Sequence, residues 1–145
     1  MSAPSAPRAA AVAAALALAA CVPAEGPLMS PGQDCLACHS PGAPSGQHAK
    51  DWSLAGTVYP ALDADPNAGV EGDEVEVTDT AGFAFSLRTN QAGNFYSAES
   101  VRFPLAVCVS RGGAKSCMQS PVASGACNAC HQPGSGLAPG RIQGP

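Results

Sequence analysis

The chain has 145 residues, a formal charge of −4, and only one Trp, two Tyr and four Phe within its apolar content. That is one domain's worth of sequence with a thin core; seven Lys and Arg against eleven Asp and Glu leave no basic face for nucleic acid and favour a basic partner. Seven Cys in so short a chain point to covalent staples or cofactor ligation.

Residues 1–20 read as an export signal. Arg8 is the only charge before Glu25, and the apolar run from Ala9 to Ala20 is too short to span a bilayer. The run ends in Leu18-Ala19-Ala20-Cys21, which resembles the lipobox of bacterial lipoproteins. That resemblance implies cleavage before Cys21 and lipidation of its thiol and amino terminus, with the outer membrane, facing the periplasm, as the default location and the cell surface as an option. Ordinary cleavage after Ala20 or Ala24 is the alternative. Cysteine counting favours the lipid, because an odd count in an exported protein leaves one Cys over.

Residues 21–53 form a Pro- and Gly-rich tether and loop that carries Cys35-Leu36-Ala37-Cys38-His39. The same pattern returns as Cys127-Asn128-Ala129-Cys130-His131. Two thiols three positions apart, followed directly by His, are the pattern of c-type haem attachment: each thiol adds across one vinyl group and the His ligates the iron. Cys35, Cys38, Cys127 and Cys130 are therefore expected to carry two covalent haems, with His39 and His131 as proximal ligands. A four-thiolate zinc site or redox disulfides would account for the thiols but leave the two His unexplained. A second axial ligand has two candidates. His48 is either a distal ligand or a solvated loop His, and Met118 is either a ligand or a core residue; Met29 is a weaker third.

Residues 54–122 read as a small antiparallel β-sandwich. Gly56 to Tyr59 is β-prone, Glu74 to Thr78 alternates with Val75 and Val77 on one face, and Phe83 to Thr89 alternates with Phe83, Phe85 and Leu87 expected inward. Asn94 to Tyr96 and then Leu105, Val107 and Val109 continue the pattern. A two-residue turn at Gly112-Gly113 makes Arg111 face Ala114, which places Cys108 directly opposite Cys117 at a close, non-hydrogen-bonded position and predicts a cross-strand disulfide. The same register puts Met118 opposite Val107. Gly56-Thr57-Val58-Tyr59, Gly69 to Gly72 and Thr89 to Phe95 resemble the carboxypeptidase regulatory-like, or transthyretin-like, domain family from about Leu54 to Met118. The resemblance implies a seven-strand Greek-key sandwich that is mostly a non-catalytic scaffold.

Residues 123–145 form the second haem loop and a Gly/Pro-rich tail, which suggests an exposed haem at one edge. The architecture expected is thus mainly β, a small Greek-key sandwich flanked by two loop-borne haem sites. An odd number of strands between entry and exit would separate those sites, and an even number would bring them together. No catalytic triad or phosphate-binding loop accompanies them. The reading is an exported dihaem electron carrier working with redox partner proteins. A haem enzyme or sensor with one open iron site, and a binding or assembly module built on the sandwich, are the alternatives.

Overall fold

A computed structural model describes residues 28–43 and 50–145. The signal segment, Cys21 and His48 lie outside the described residues.

The fold is mainly β. Strands β1 (Leu54–Tyr59), β2 (Glu74–Thr78), β3 (Ala84–Arg88), β4 (Asn94–Ser97), β5 (Ala106–Arg111), β6 (Ala114–Cys117) and β7 (Ile142–Gln143) make a two-layer sandwich. One sheet has the order β4-β1-β7 and the other β3-β2-β5-β6. The chain leaves β3 for β4 in the opposite sheet and returns as β5 beside β2, the long return of a Greek key. Leu54, Val58, Val75, Val77, Phe95, Leu105 and Val109 fill the space between the layers.

Local rules account for the four-stranded sheet. Alternation in β2 buries Val75 and Val77 completely and turns Glu74, Glu76 and Thr78 away. Gly112 and Gly113 both have positive φ, 55° and 89°, as the tight hairpin requires, and the pairs that follow are Arg111 with Ala114, Ser110 with Lys115, Val109 with Ser116 and Cys108 with Cys117. Cys108 and Cys117 are joined, with their Cα atoms 4.0 Å apart. Replacing both by Ala is expected to cost about 2–3 kcal/mol, read as the difference in urea unfolding between the disulfide-bonded protein and the double variant.

Asp79 fixes the β2–β3 turn. Its Oδ1 accepts the N–H groups of Ala81 at 2.8 Å and Phe83 at 2.9 Å, and its Oδ2 accepts that of Arg102 at 3.0 Å. Burial opposes ionisation here, yet the backbone donors of Arg102, Phe83 and Ala81 and the charge of Arg102 outweigh it and hold the carboxyl below its usual range. A depressed carboxylate stabilises the fold above its ordinary pKa of 3.8, and that stabilisation is lost as pH falls through the lower folded value. Asp79→Asn is therefore expected to lower the melting temperature at neutral pH and to flatten its fall in acid, as followed by circular dichroism.

Three expectations need correction. Phe83 does not point inward but is 44 % exposed, because its N–H and C=O close the Asp79 turn and β3 starts only at Ala84. Met118 holds the expected register, its N–H donating to Val107 O at 3.0 Å, but it is 41 % exposed. The facing sheet has one strand fewer, so β6, exposed along its length, overhangs it. The two Cys-x-x-Cys-His segments are not loops. Each closes a single helical turn, α1 (Leu36–His39) and α2 (Cys127–Cys130).

Candidate haem-attachment site

Both turns form for local reasons. The Pro and Gly residues that suggested loops flank the motifs and do not interrupt them. Asp34 accepts the Leu36 N–H on its side chain at 3.1 Å and the Ala37 N–H on its carbonyl at 3.2 Å, satisfying donors at the start of α1. Ser124 Oγ accepts the Ala126 N–H at 3.2 Å ahead of α2. The N–H groups of His39 and His131 then donate to Cys35 O and Cys127 O, both at 2.9 Å. Thiols at positions i and i+3 of one turn share a face, which is what attachment to two vinyl groups of one planar macrocycle requires.

The sandwich brings the motifs together. Among the described residues six strands separate them, and β7 comes after the second, so the even count returns the chain to the side from which it left. The second lies against β1, and Gly32, just ahead of the first, is bonded to it; the six residues of β1 are all buried. Leu54 and Val58 face the core, while Thr57 receives the motif segments. Thr57 Oγ1 accepts the Gly32 N–H at 2.9 Å and donates to Asn94 Oδ1 at 2.7 Å. Asn94 Nδ2 in turn donates to Leu28 O at 2.7 Å, pinning the residues ahead of α1 to β4.

Asn128 joins the two motifs directly. From inside α2, and 2 % exposed, its Oδ1 accepts the Thr57 N–H at 3.0 Å, while Nδ2 donates to Gln33 O at 2.8 Å and Thr57 Oγ1 at 3.0 Å. Two close approaches make room for this. A Cβ on Gly56 would lie 2.7 Å from the Phe95 ring and 2.9 Å from Cys127 Cβ, and one on Gly125 would lie 1.9 Å from Ser53 O. Gly125→Ala is expected to displace α2 from β1 at a cost of about 1–3 kcal/mol, measured by thermal unfolding.

The histidines are held by their Nδ1 atoms. His131 Nδ1 lies 2.9 Å from Gly140 O, and His39 Nδ1 lies 3.4 Å from Lys50 O. A carbonyl can only accept, so a neutral His131 ring carries its proton on Nδ1, which leaves Nε2 as the nitrogen by which an imidazole ligates a metal. The His39 ring also stacks on Trp52, with centroids 3.7 Å apart and planes 13° from parallel; Trp52 stacks on Tyr96 at 4.2 Å and 12°.

Thiol chemistry differs along the two motifs. Cys35, Cys127 and Cys130 are free thiols, whereas Cys38 is disulfide-bonded, so a thioether at Cys38 requires that bond to be reduced first. Burial, and then the charge of Asp34, push the Cys35 thiol up to about 11. Cys127 is pushed up to about 12, chiefly by burial and then by the charge of Cys35. Among the described residues no group of three or more His, Cys, Asp or Glu side chains is gathered to hold a metal ion.

The chain was compared with protein families, curated proteins and solved structures. Nothing matches in any of the three comparisons.

Sequence reasoning singled out the four motif Cys and two His but passed over Asn128, Trp52 and Gly140. Met118 sits just past β6, on the edge of the sheet that does not carry the motifs. The tail closes over the second motif: β7 pairs in parallel with β1, Arg141 is 7 % exposed, its guanidinium lies 4.4 Å from the Tyr59 ring, and its Nε donates to Ala64 O at 2.7 Å.

Proposed function

We propose that this chain is a dihaem c-type cytochrome that carries electrons. The observation that carries the reading is at the second motif: Cys127 and Cys130 close one helical turn, and His131 next to it has its Nδ1–H anchored on Gly140 O. A helical turn offers two thiols to one macrocycle, and the carbonyl orients the imidazole with Nε2 as the ligating atom. The first motif repeats the helical turn with Cys35, Cys38 and His39, whose Nδ1 lies 3.4 Å from Lys50 O, and offers its second thiol once the Cys38 disulfide is reduced. When bound, the haem iron supplies a one-electron ferrous–ferric couple.

The protein's own part is to hold these groups in place. Asn128 and Thr57 fix the two turns relative to one another, so the two prosthetic groups would sit in one assembly on the β1 side of the sandwich. The sandwich acts as a covalently stapled scaffold of the kind that the transthyretin-like resemblance implies. Export, lipid anchoring at Cys21 to the outer membrane and exchange with a basic redox partner complete the proposal, on the sequence features that suggested them.

The test is production in a host with c-type haem maturation, followed by intact mass and visible spectroscopy. A mass increment of two haems with low-spin bands in both oxidation states is the expected result. Two haems with one high-spin iron would favour a haem enzyme or ligand sensor, and no covalent haem with zinc bound in its place would overturn the reading.

A further inference from the structure

Three aromatic rings run in line from the first motif towards solvent. His39 packs face to face on Trp52, which packs face to face on Tyr96, and the two interplanar angles are 13° and 12°. Hydrogen bonds hold this order. The Trp52 N–H donates to His39 O at 2.6 Å, and the next residue, Ser53, donates through its N–H to Ser97 O at 2.8 Å and through Oγ to Glu99 O at 2.6 Å. Trp52 is thereby fixed to α1 on one side and to β4 on the other. Tyr96 is itself a β4 residue, paired with Ala55 of β1 and 46 % exposed.

Packing alone does not account for this arrangement. Tyr96 points away from the core, and the cluster that fills the interior contains Phe95 but neither Trp52 nor Tyr96. The chain spends its only Trp on the outer face of the three-stranded sheet, between a motif histidine and an exposed phenol. Near-parallel rings at these separations overlap their π systems and leave no gap that solvent or an aliphatic side chain could fill.

We propose that Trp52 and Tyr96 form the electronic path between His39 and the protein surface, so that the first motif exchanges electrons with partners at Tyr96. This rests on the haem reading above and adds the route. One electron moves from ferrous iron to the acceptor, leaving ferric iron and a reduced acceptor, with no bond made or broken and no proton transferred. The rings contribute bridging orbitals and are not themselves oxidised.

The test uses full-length protein matured with haem, and compares Trp52→Leu, Trp52→Phe and Tyr96→Leu with the parent. Haem content by intact mass comes first: its absence in the parent defeats the haem reading itself, a result distinct from every outcome below. With haem present, oxidation of the ferrous protein by tris(phenanthroline)cobalt(III) is followed by stopped flow, with reduction potentials measured on the same samples. The expected result is that Trp52→Leu and Tyr96→Leu slow oxidation several-fold at unchanged potential, while Trp52→Phe, which keeps a ring in the stack, restores most of the rate. The indole N–H of the single Trp should also show a paramagnetic shift in the ferric protein, independently of any rate. Equal rates for Trp52→Leu and the parent, or a Phe variant as slow as the Leu variant, would overturn the path and leave Trp52 as packing.

Discussion

Asn128→Ala is expected to cost the protein about 1–3 kcal/mol, because it strands a backbone group that a buried amide now satisfies. This is the N–H of Thr57, a fully buried residue; the carbonyl of Gln33, an exposed residue, loses the same partner but keeps the Cys35 thiol and water. The effect is structural as well as energetic. Gln33 precedes α1 by three residues and Asn128 lies inside α2, so the variant loses the side-chain link between the two motifs while keeping every motif Cys and His. Urea unfolding gives the energy. Iodoacetamide labelling of Cys127 in the reduced protein gives the geometry, since the thiol should stay shielded in the parent and label faster in the variant. A variant within about 0.5 kcal/mol of the parent, the range of an ordinary surface substitution, would show that the link holds nothing.

The second large effect concerns when attachment happens. Covalent addition proceeds faster through the thiolate, and the folded chain suppresses that form at Cys127, where burial above all, reinforced by Cys35 and Cys130, pushes the thiol up to about 12. At pH 8 an unperturbed cysteine is roughly one-tenth thiolate, and the folded chain holds Cys127 far below that fraction. In the reduced, haem-free protein, alkylation of Cys127 by iodoacetamide at pH 8 is therefore expected to lag the urea-unfolded control by well over about tenfold. Peptide mass analysis of timed samples gives the rate at each Cys. Native labelling within about tenfold of the unfolded rate would mean that the thiol is not shielded. On the haem proposal, the expected result would make the unfolded or partly folded chain the better substrate for attachment. The same shift stabilises the haem-free fold fully below the ordinary thiol value of 9.0, and that contribution is lost as pH rises from there through about 12.

How much of this could be read from the sequence depended on the range of the interaction. The β5–β6 hairpin and its disulfide follow from two adjacent glycines and arithmetic along a ladder, so Cys108 and Cys117 were legible. Val75 and Val77 were legible because alternation in β2 is a property of five consecutive residues. Alternation misplaces Phe83 because it does not show that the strand starts only at Ala84, and it gives Met118 a face without saying how far the opposing sheet extends over it. The helical turns were missed because Gly and Pro in the flanks were read as properties of the motifs they surround. Asn128 illustrates a different limit. Its pattern fixes only Cys, Cys and His, and treats as blank the position that ties the site together, through a contact spanning 95 residues. Trp52 likewise gains its meaning from residues at positions 39 and 96, which no local window joins to it.

The parallel pairing of β1 with β7 has a consequence for the order of synthesis. Val58 lies opposite Ile142, so the strand at the centre of its sheet acquires its last neighbour only when the final few residues of the described chain have left the ribosome. Gly140, whose carbonyl orients His131, emerges just ahead of that strand. Contacts of such long sequence separation form late, since a large loop must close before they repay its entropy. The second histidine thus has its anchor only once residues 140–143 have docked on β1, and until then a nascent chain would display both Cys-x-x-Cys-His segments.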